Sequence, residues 1–392
     1  MSKLKDVIEI LDSKRIPLSS KERSTKAKIY PYYGAQGVID YIDKYIFEGN
    51  YILVAEDGNN LKSLKDKIAT WVSGKFWVNN HAHILGERKG TNLKYLYYYL
   101  NSIDLSCLIT GSAQPKLNQE NLGNLNIDLP EINIQNKIST ILSSIDNKFE
   151  LNNKINIELE AMAKTIYDYW FLQFEFPNEE GKPYKSSGGK MIWNEELKRE
   201  IPEGWEVKKL KELFQFIKGK TAKSLVHNQI NKDFKPYITI DVANGEIPKY
   251  CNDENMIICN GETIMVMDGA ASGDIYVGIR GILGSTFAML LPIDNSISSI
   301  LIYHILQKYK DIYKKVNTGS TVPHANKDFI GNINVALPKD LSFFNSTFTS
   351  ISKKIILNKK ENRELTSLRD FLLPLLMNGQ VGFKDKEDKA EG

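Results

Sequence analysis

Residues 110–130 read TGSAQPKLNQENLGNLNIDLP, and residues 318–338 read TGSTVPHANKDFIGNINVALP. Ten of the 21 positions are identical, with no gap. A chain that carries one such segment twice is constrained to fold as two copies of one plan. The likeness extends upstream, where Leu4-Lys-Asp-Val-Ile-Glu-Ile aligns with Leu210-Lys-Glu-Leu-Phe-Gln-Phe. YPYYG (30–34) faces KPYIT (235–239), and GNYILVAEDG (49–58) faces GETIMVMDG (261–269). That last pair reads as an apolar strand closed by an acidic turn residue and Gly. A helical patch follows in each half, LKYLYYYLNS (93–102) and SILIYHILQKY (299–309). The pattern predicts a mixed α/β (α+β) chain with two globular domains.

Beyond each NIDLP or NVALP the texture changes. From Glu131 to about Phe174 there is no Pro or Gly. Ile134, Ile138, Ile141, Ile145, Ile155, Leu159, Met162, Ile166 and Tyr169 fall on a heptad that Lys148 and Asn152 interrupt and Gln173 closes. The second copy answers with Ile351, Asn358, Leu365, Leu368, Leu372 and Leu375, so Asn152 and Asn358 interrupt both seams at one place. This is the pattern of a coiled coil, in which a buried Asn fixes register. Two long helices packed antiparallel within the molecule satisfy it; two lone amphipathic helices with solvated asparagines are the alternative. Pro374 and LLMNGQ are expected to end the second helix.

The expected layout is a first domain over 1–130, a spacer helix over 131–176 and a connector rich in Pro, Gly and Ser over 177–204. A second domain follows over 205–339, then a second helix over 340–379 and a charged tail over 380–392. With 42% hydrophobic and 25% charged residues, general disorder is excluded. No apolar run is long enough to span a bilayer, and the N-terminal MSKLKDVIEILDSKR is amphipathic without an apolar core, so a cytoplasmic protein without a signal peptide is expected. Cys107, Cys251 and Cys259 lack metal-ligand spacing and are expected to be reduced thiols. A net charge of +3 permits nucleic-acid binding without demanding it.

Catalytic motifs are missing. Gly219-Lys220-Thr221 resembles the end of a phosphate loop, but Phe214 stands where that loop needs Gly. Asp168 with Glu180-x-Lys182 imitates a nuclease motif across a helix and a loop, which would hold ligands poorly. His81-x-His83 has no third ligand nearby and reads as a solvated or groove-facing pair, so no metal is expected. The Asn/Asp-Pro-Pro-aromatic tetrapeptide of amino-methyltransferases is absent. What the domains offer instead is hydrogen-bonding side chains beside Gly-rich turns. In the first half these are Tyr32, Tyr33, Gln36, Asn59, Asn60, Lys62, Asn79, Asn80, His81, Ser112, Gln114 and Lys116. In the second they are Lys218, Lys220, Lys223, Ser272, Ser320, Thr321, His324 and Asn326. Such residues read base edges or hold phosphates, and they also simply make turns.

Taken with the tandem TGSxxP…GNxNxxLP repeat, three further stretches complete a pattern. They are IQNKISTILSSIDNKFELNNKIN, YDYWFLQFEF and KPYKSSGGKM…ELKREIPEGWEV (182–207). Over nearly its whole length the chain resembles the DNA-specificity subunit of type I restriction-modification systems. It departs in carrying Ile134-Gln135 where many members carry Glu-Gln, and in lacking the IPEGWEV lead-in before the first domain. The resemblance implies two target recognition domains held apart by an antiparallel pair of long helices, each domain reading half of a split DNA target. It also implies a non-catalytic chain that docks two modification subunits, which bind S-adenosylmethionine and methylate adenine, and that restriction subunits join. A tandem-repeat protein-interaction scaffold is the alternative function, and a stand-alone DNA-modifying enzyme is the third.

Overall fold

The computed structural model describes residues 2–58, 61, 67–111, 115–318 and 323–383. Two compact units divide the chain, residues 1–149 with 364–392, and residues 150–363. Each contains one sheet-rich domain and a stretch of both long helices.

In the first unit, β1 (Ser2–Lys3), α1 (Leu4–Val7) and β2 (Glu9–Ile10) lead into α2 (Ser20–Ser24). Then come β3 (Tyr30–Gly34), β4 (Gly37–Ile42), β5 (Phe47–Ala55), β6 (Ala69–Val78) and β7 (Ala82–Gly86). After α3 (Leu93–Ser102), α4 (Gln119–Gly123) and β8 (Asn126–Ile127), the chain enters the long α5 (Ile132–Tyr167). Six strands form one sheet in the order β2-β7-β5-β6-β3-β4. The second half of its central strand β5, Ile52 to Ala55, is buried on both faces, which explains the unbroken run Ile52-Leu53-Val54. Ile52 and Val54 pack with Leu96 and Leu100 of α3, while Leu53 joins Phe47, Phe76 and Ile84 on the other side.

The second unit holds the end of α5, whose last turn widens to a π-helix over Asp168–Leu172, and the hairpin of β9 (Met191–Asn194) and β10 (Arg199–Pro202). Its domain begins at β11 (Trp205–Lys209) and β12 (Phe214–Lys218), followed by β13 (Lys235–Ile238), α6 (Ile240–Ala243) and β14 (Tyr250–Cys251). β15 (Ile258–Asn260), β16 (Ile264–Val266), β17 (Ile275–Tyr276), β18 (Arg280–Leu283) and β19 (Phe287–Pro292) complete two four-stranded sheets. α7 (Ser299–Lys314), α8 (Lys327–Gly331) and β20 (Asn334–Pro338) then lead to the long α9 (Ser342–Met377).

The duplicated segment now has a physical explanation. Asn118 and Asn326, identical in both copies, cap α4 and α8 by accepting from Asn121 N and Phe329 N at 2.7 and 3.0 Å. The shared glycines end those short helices where the lead-in passes close. A Cβ on Gly123 would sit 3.5 Å from Lys5 Cβ, and one on Gly331 would sit 3.2 Å from Lys211 Cβ. The strands that follow pair antiparallel with the lead-in, β8 with β1 and β20 with β11. The matched half of the repeat is therefore scaffold that closes each domain on its own beginning.

The long helices pack on each other antiparallel. In the second unit Asn152 meets Asn362, Asn156 meets Asn358, and Tyr167 meets Phe348. In the first, Ile138 and Leu142 share a core with Leu376. The seam differs from the expected one at every second position. Ile138, Ile145, Asn152, Leu159 and Ile166 lie where the heptad places them, but the alternate positions fall one residue later, at Leu142, Phe149, Asn156, Ala163 and Trp170. Leu142 and Ala163 are buried, whereas Met162 and Tyr169 are exposed. The same correction holds in α9, where Leu368 is exposed and the seam runs through Arg369 and Leu376. Adjacent apolar pairs such as Ile141-Leu142 and Met162-Ala163 fit either register, and the buried asparagine pairs are satisfied only in the observed one. Pro374 does not end α9, which continues to Met377 and stops at Gly379, with φ +66°. No helix among the described residues is long and apolar enough to cross a membrane.

Candidate nucleic-acid interface

One end of each sheet domain gathers polar groups around the base of the TGS loop. In the first unit, Thr110 and Lys116 close that loop by exchanging backbone bonds of 2.9 and 2.8 Å. Leu117 N then donates to Glu56 O, 2.8 Å away, seating the loop against the end of β5. In the second unit Thr318 and His324 exchange bonds of 2.9 and 2.7 Å, and Ala325 N donates to Met267 O at 2.8 Å, beyond the end of β16. The two domains thus use one seat, with Asp57-Gly58 and Asp268-Gly269 at matching places. Gly58 and Gly269 take φ values of +110° and +99°, which explains the Asp-Gly ending of both strands.

Charge is organised around the seat. In the first unit Glu56 receives Arg15 at 2.7 Å and Lys116 at 3.0 Å, while His81 Nδ1 lies 2.6 Å from Asp57. Partial burial pushes the Glu56 carboxyl up, but its bonds from Arg15 and Lys116 outweigh that and hold it below its ordinary value. In the second, Asp268 lies 2.7 Å from His324 Nδ1 and 3.2 Å from Lys218 Nζ. There too burial raises the carboxyl, and the contacts from His324 and Lys218 bring it net lower. Arg15 also donates to the carbonyls of Ala82 and Asn80, at 3.0 and 3.3 Å, which ties the β6–β7 turn to the cluster.

Among the described residues proposed from sequence, several surround these seats. His81 and Lys116 are exposed there, as are Lys218 and His324. Gln36 is exposed at the tip of the β3–β4 hairpin, and Asn80 in the β6–β7 turn. Lys220 and Lys223 follow β12 on the surface, Lys220 Nζ donating to Asn255 O at 2.5 Å. Others are structural. Tyr32 is fully buried, its hydroxyl accepting from Leu18 N at 2.9 Å, so it is withdrawn from any surface role. Ser272 is likewise buried and braces a turn by donating to Met267 O. Asn79 is buried and accepts from His81 N at 2.8 Å, Asn326 is a helix cap, and the half-buried Tyr33 packs edge-on against Phe76. Asn59, Asn60, Lys62, Ser112, Gln114, Ser320 and Thr321 lie outside the described residues.

His83 is a correction of another kind, since it is neither solvated nor facing a groove. It is buried, with Nδ1 2.5 Å from Asp12 and Nε2 2.7 Å from the Leu117 carbonyl, so both ring nitrogens are engaged. Among the described residues no cluster of His, Cys, Asp or Glu could hold a metal ion. Arg15, Glu56, Asp57 and Asp268 were not singled out from sequence. The Asp-Gly strand endings were the available signal, and they read as turns.

The profile of the family described as the type I restriction modification DNA specificity domain matches residues 1–161 and again 202–367. The MjaIX type I restriction enzyme specificity subunit of Methanocaldococcus jannaschii is 28% identical over 75% of this chain and 70% of its own length. S.HindORF215P, a candidate type I restriction enzyme specificity subunit of Haemophilus influenzae, is 34% identical, over 36% of each chain. In fold, the crystal structure of the type I restriction-modification S subunit from M. genitalium covers 98% of this chain and 96% of that one. The TM-score is 0.67 at 21% identity. Two copies of the specificity domain, filling most of the sequence, place this chain in the family of type I restriction-modification DNA specificity subunits.

Proposed function

We propose that the chain reads a split, asymmetric DNA target, with residues 1–130 and 205–339 as two recognition domains that each contact one half. The observation that carries this reading is the repeated seat. One scaffold holds the same loop against the same strand end twice, while the residues around it differ, as two readers of different sequences require. Side chains around that end, among them Gln36, Asn80, Lys116, Lys218, Lys220 and His324, supply base-edge and phosphate contacts. Asn59, Asn60, Lys62, Ser112, Gln114, Ser320 and Thr321 are further candidates for such contacts.

The helices of 131–176 and 340–379, joined through the connector 177–204, act as a ruler for the unspecified gap. Half-sites on one face of B-DNA lie about 34 Å apart or a multiple of it, a spacing a rigid helix holds better than a flexible linker. The chain performs no chemistry itself. Two modification subunits dock on the helices, bind S-adenosylmethionine and methylate adenine, and restriction subunits join them, all in the cytoplasm. Methylome sequencing of a strain expressing the chain with its modification subunits tests this. A two-part adenine motif with a fixed gap is expected, and a contiguous motif, or none that depends on the chain, refutes it.

A further inference from the structure

The two seats share a feature that the repeat does not explain. Glu56 N donates to His81 O at 2.9 Å and Met267 N to Thr286 O at 2.7 Å, so His81 corresponds to Thr286. Thr110 with Lys116 and Thr318 with His324 close the two loops alike, so His324 corresponds to Lys116. Neither histidine has a histidine as its counterpart. Yet each sets Nδ1 on the matched carboxylate, His81 2.6 Å from Asp57 and His324 2.7 Å from Asp268. In the first unit Glu56 takes Lys116 at 3.0 Å and leaves Asp57 to His81; in the second, Met267 stands in the place of Glu56. The carboxylate is repeated, and an imidazole reaches it twice, from the β6–β7 turn in one domain and from the TGS loop in the other. The chain has only five histidines, so chance placement does not account for two at one point of the scaffold.

These pairs are not needed to hold the seats together. Backbone bonds already close each loop and dock it beside its strand end. The side chains of His81 and His324 are 50% and 51% accessible, and pairs so exposed add little to stability. What a carboxylate does for an imidazole is fix the ring's orientation and the role of its other nitrogen. Among the described residues, Nε2 of neither ring has a partner. Each domain thus holds one oriented, unpartnered ring nitrogen at the same place. Orientation matters little for a phosphate, which offers only acceptors wherever it is met. It matters for base edges, where adenine and cytosine present amino donors and guanine presents acceptors.

We infer that His81 and His324 are equivalent readers, each meeting the edge of one base in its own half-site through Nε2, with Asp57 and Asp268 as positioning residues. The inference rests on the DNA-reading role proposed above and assigns to each domain one base pair and the side chains that read it. The two domains are then alike in where this contact falls and free to differ around it.

Equilibrium binding of the full chain, assembled with its modification subunits, to duplexes carrying its target tests this. The target comes from the methylome of the expressing strain, and each base pair of either half is replaced in turn. His81→Ala and Asp57→Asn are expected to lower discrimination about tenfold at one and the same base pair, leaving the other half-site as strictly read as before. His324→Ala and Asp268→Asn should do so at one base pair of the other half. Asn keeps the shape of the side chain but can turn an amide N–H toward Nδ1, so a role in orienting the ring predicts that it acts like the alanine variant. Salt dependence should stay that of the wild type, and far-UV circular dichroism confirms that each variant is folded. Asn variants that discriminate like the wild type overturn the positioning role. Uniform weakening on all duplexes with a shallower salt slope would assign the rings to phosphates and overturns the inference. Unchanged discrimination in the alanine variants, or loss in both halves from one variant, overturns it too. A wild-type complex with no two-part target overturns the DNA-reading role itself.

Discussion

Asn152 Nδ2 donates to Asn362 Oδ1 at 2.9 Å, and the counterpart bond, from Asn358 Nδ2 to Asn156 Oδ1, has the same length. All four side chains are buried. A buried amide in an apolar seam is tolerable only when a partner answers it, and here each half supplies the other's partner. The pairs therefore fix which residue of one helix faces which residue of the other.

Asn152→Ala would leave Asn362 without this partner and destabilise the second unit by about 1–3 kcal/mol. The double variant Asn152→Leu with Asn362→Leu removes both polar groups and should recover most of that stability, at the expense of a unique register. Thermal melts of both variants check this. A single variant as damaging as the double would show that the amide pair has no special role.

His304 gives the second unit an acid-sensitive joint. Burial between α7 and α9 pushes its imidazole down to about 4 from an ordinary 6.5. Because the folded value is depressed, the neutral form favours folding above pH 6.5, and that contribution is lost as pH falls from 6.5 toward 4. The linkage amounts to about 3 kcal/mol. Melting temperatures should drop over this interval for the wild type and drop less for His304→Phe. Parallel profiles for the two would exclude the joint.

Gly278 has φ +83°, and a Cβ there would come within 2.4 Å of the Ile356 side chain on α9. Gly278→Ala combines backbone strain with a clash where the second domain meets its helix, a loss of about 1–3 kcal/mol. Adding Ile356→Ala should relieve the clash but not the strain. Denaturant titrations of the single and double variants check the partial rescue.

Lys218 sits exposed at the end of β12, 3.2 Å from Asp268. In the assembled complex, Lys218→Ala should weaken DNA binding similarly for all sequences and lower the salt slope by about 1, as expected for one lost phosphate contact. Tyr32→Phe, at a buried position, should leave the slope unchanged. Binding isotherms at several salt concentrations separate the two.

Much of this architecture is legible in the residues themselves. The offset between the halves, the strand ending in Asp-Gly, the helical patches at 93–102 and 299–309 and the long seams all come from patterns that burial enforces. The seam slipped by one at alternate positions because Ile141-Leu142 and Met162-Ala163 offer an apolar residue on either side. Only the packed pair of helices decides between them. The candidate interface is less legible. Tyr32 and Ser272 look like surface readers in a Gly-rich context, yet sheet pairing and a turn brace draw them inside. Arg15 and Glu56 are far apart in sequence and meet only because the sheet brings the lead-in beside the end of β5.

The two domains, built on one scaffold, are expected to read their half-sites independently. Replacing residues 205–339 with the corresponding domain of another specificity subunit, then mapping methylated adenines in a strain that carries the modification subunits, tests it most directly. A new sequence in one half-site, with the other half and the gap unchanged, is expected. A change in both half-sites, or in neither, would contradict it.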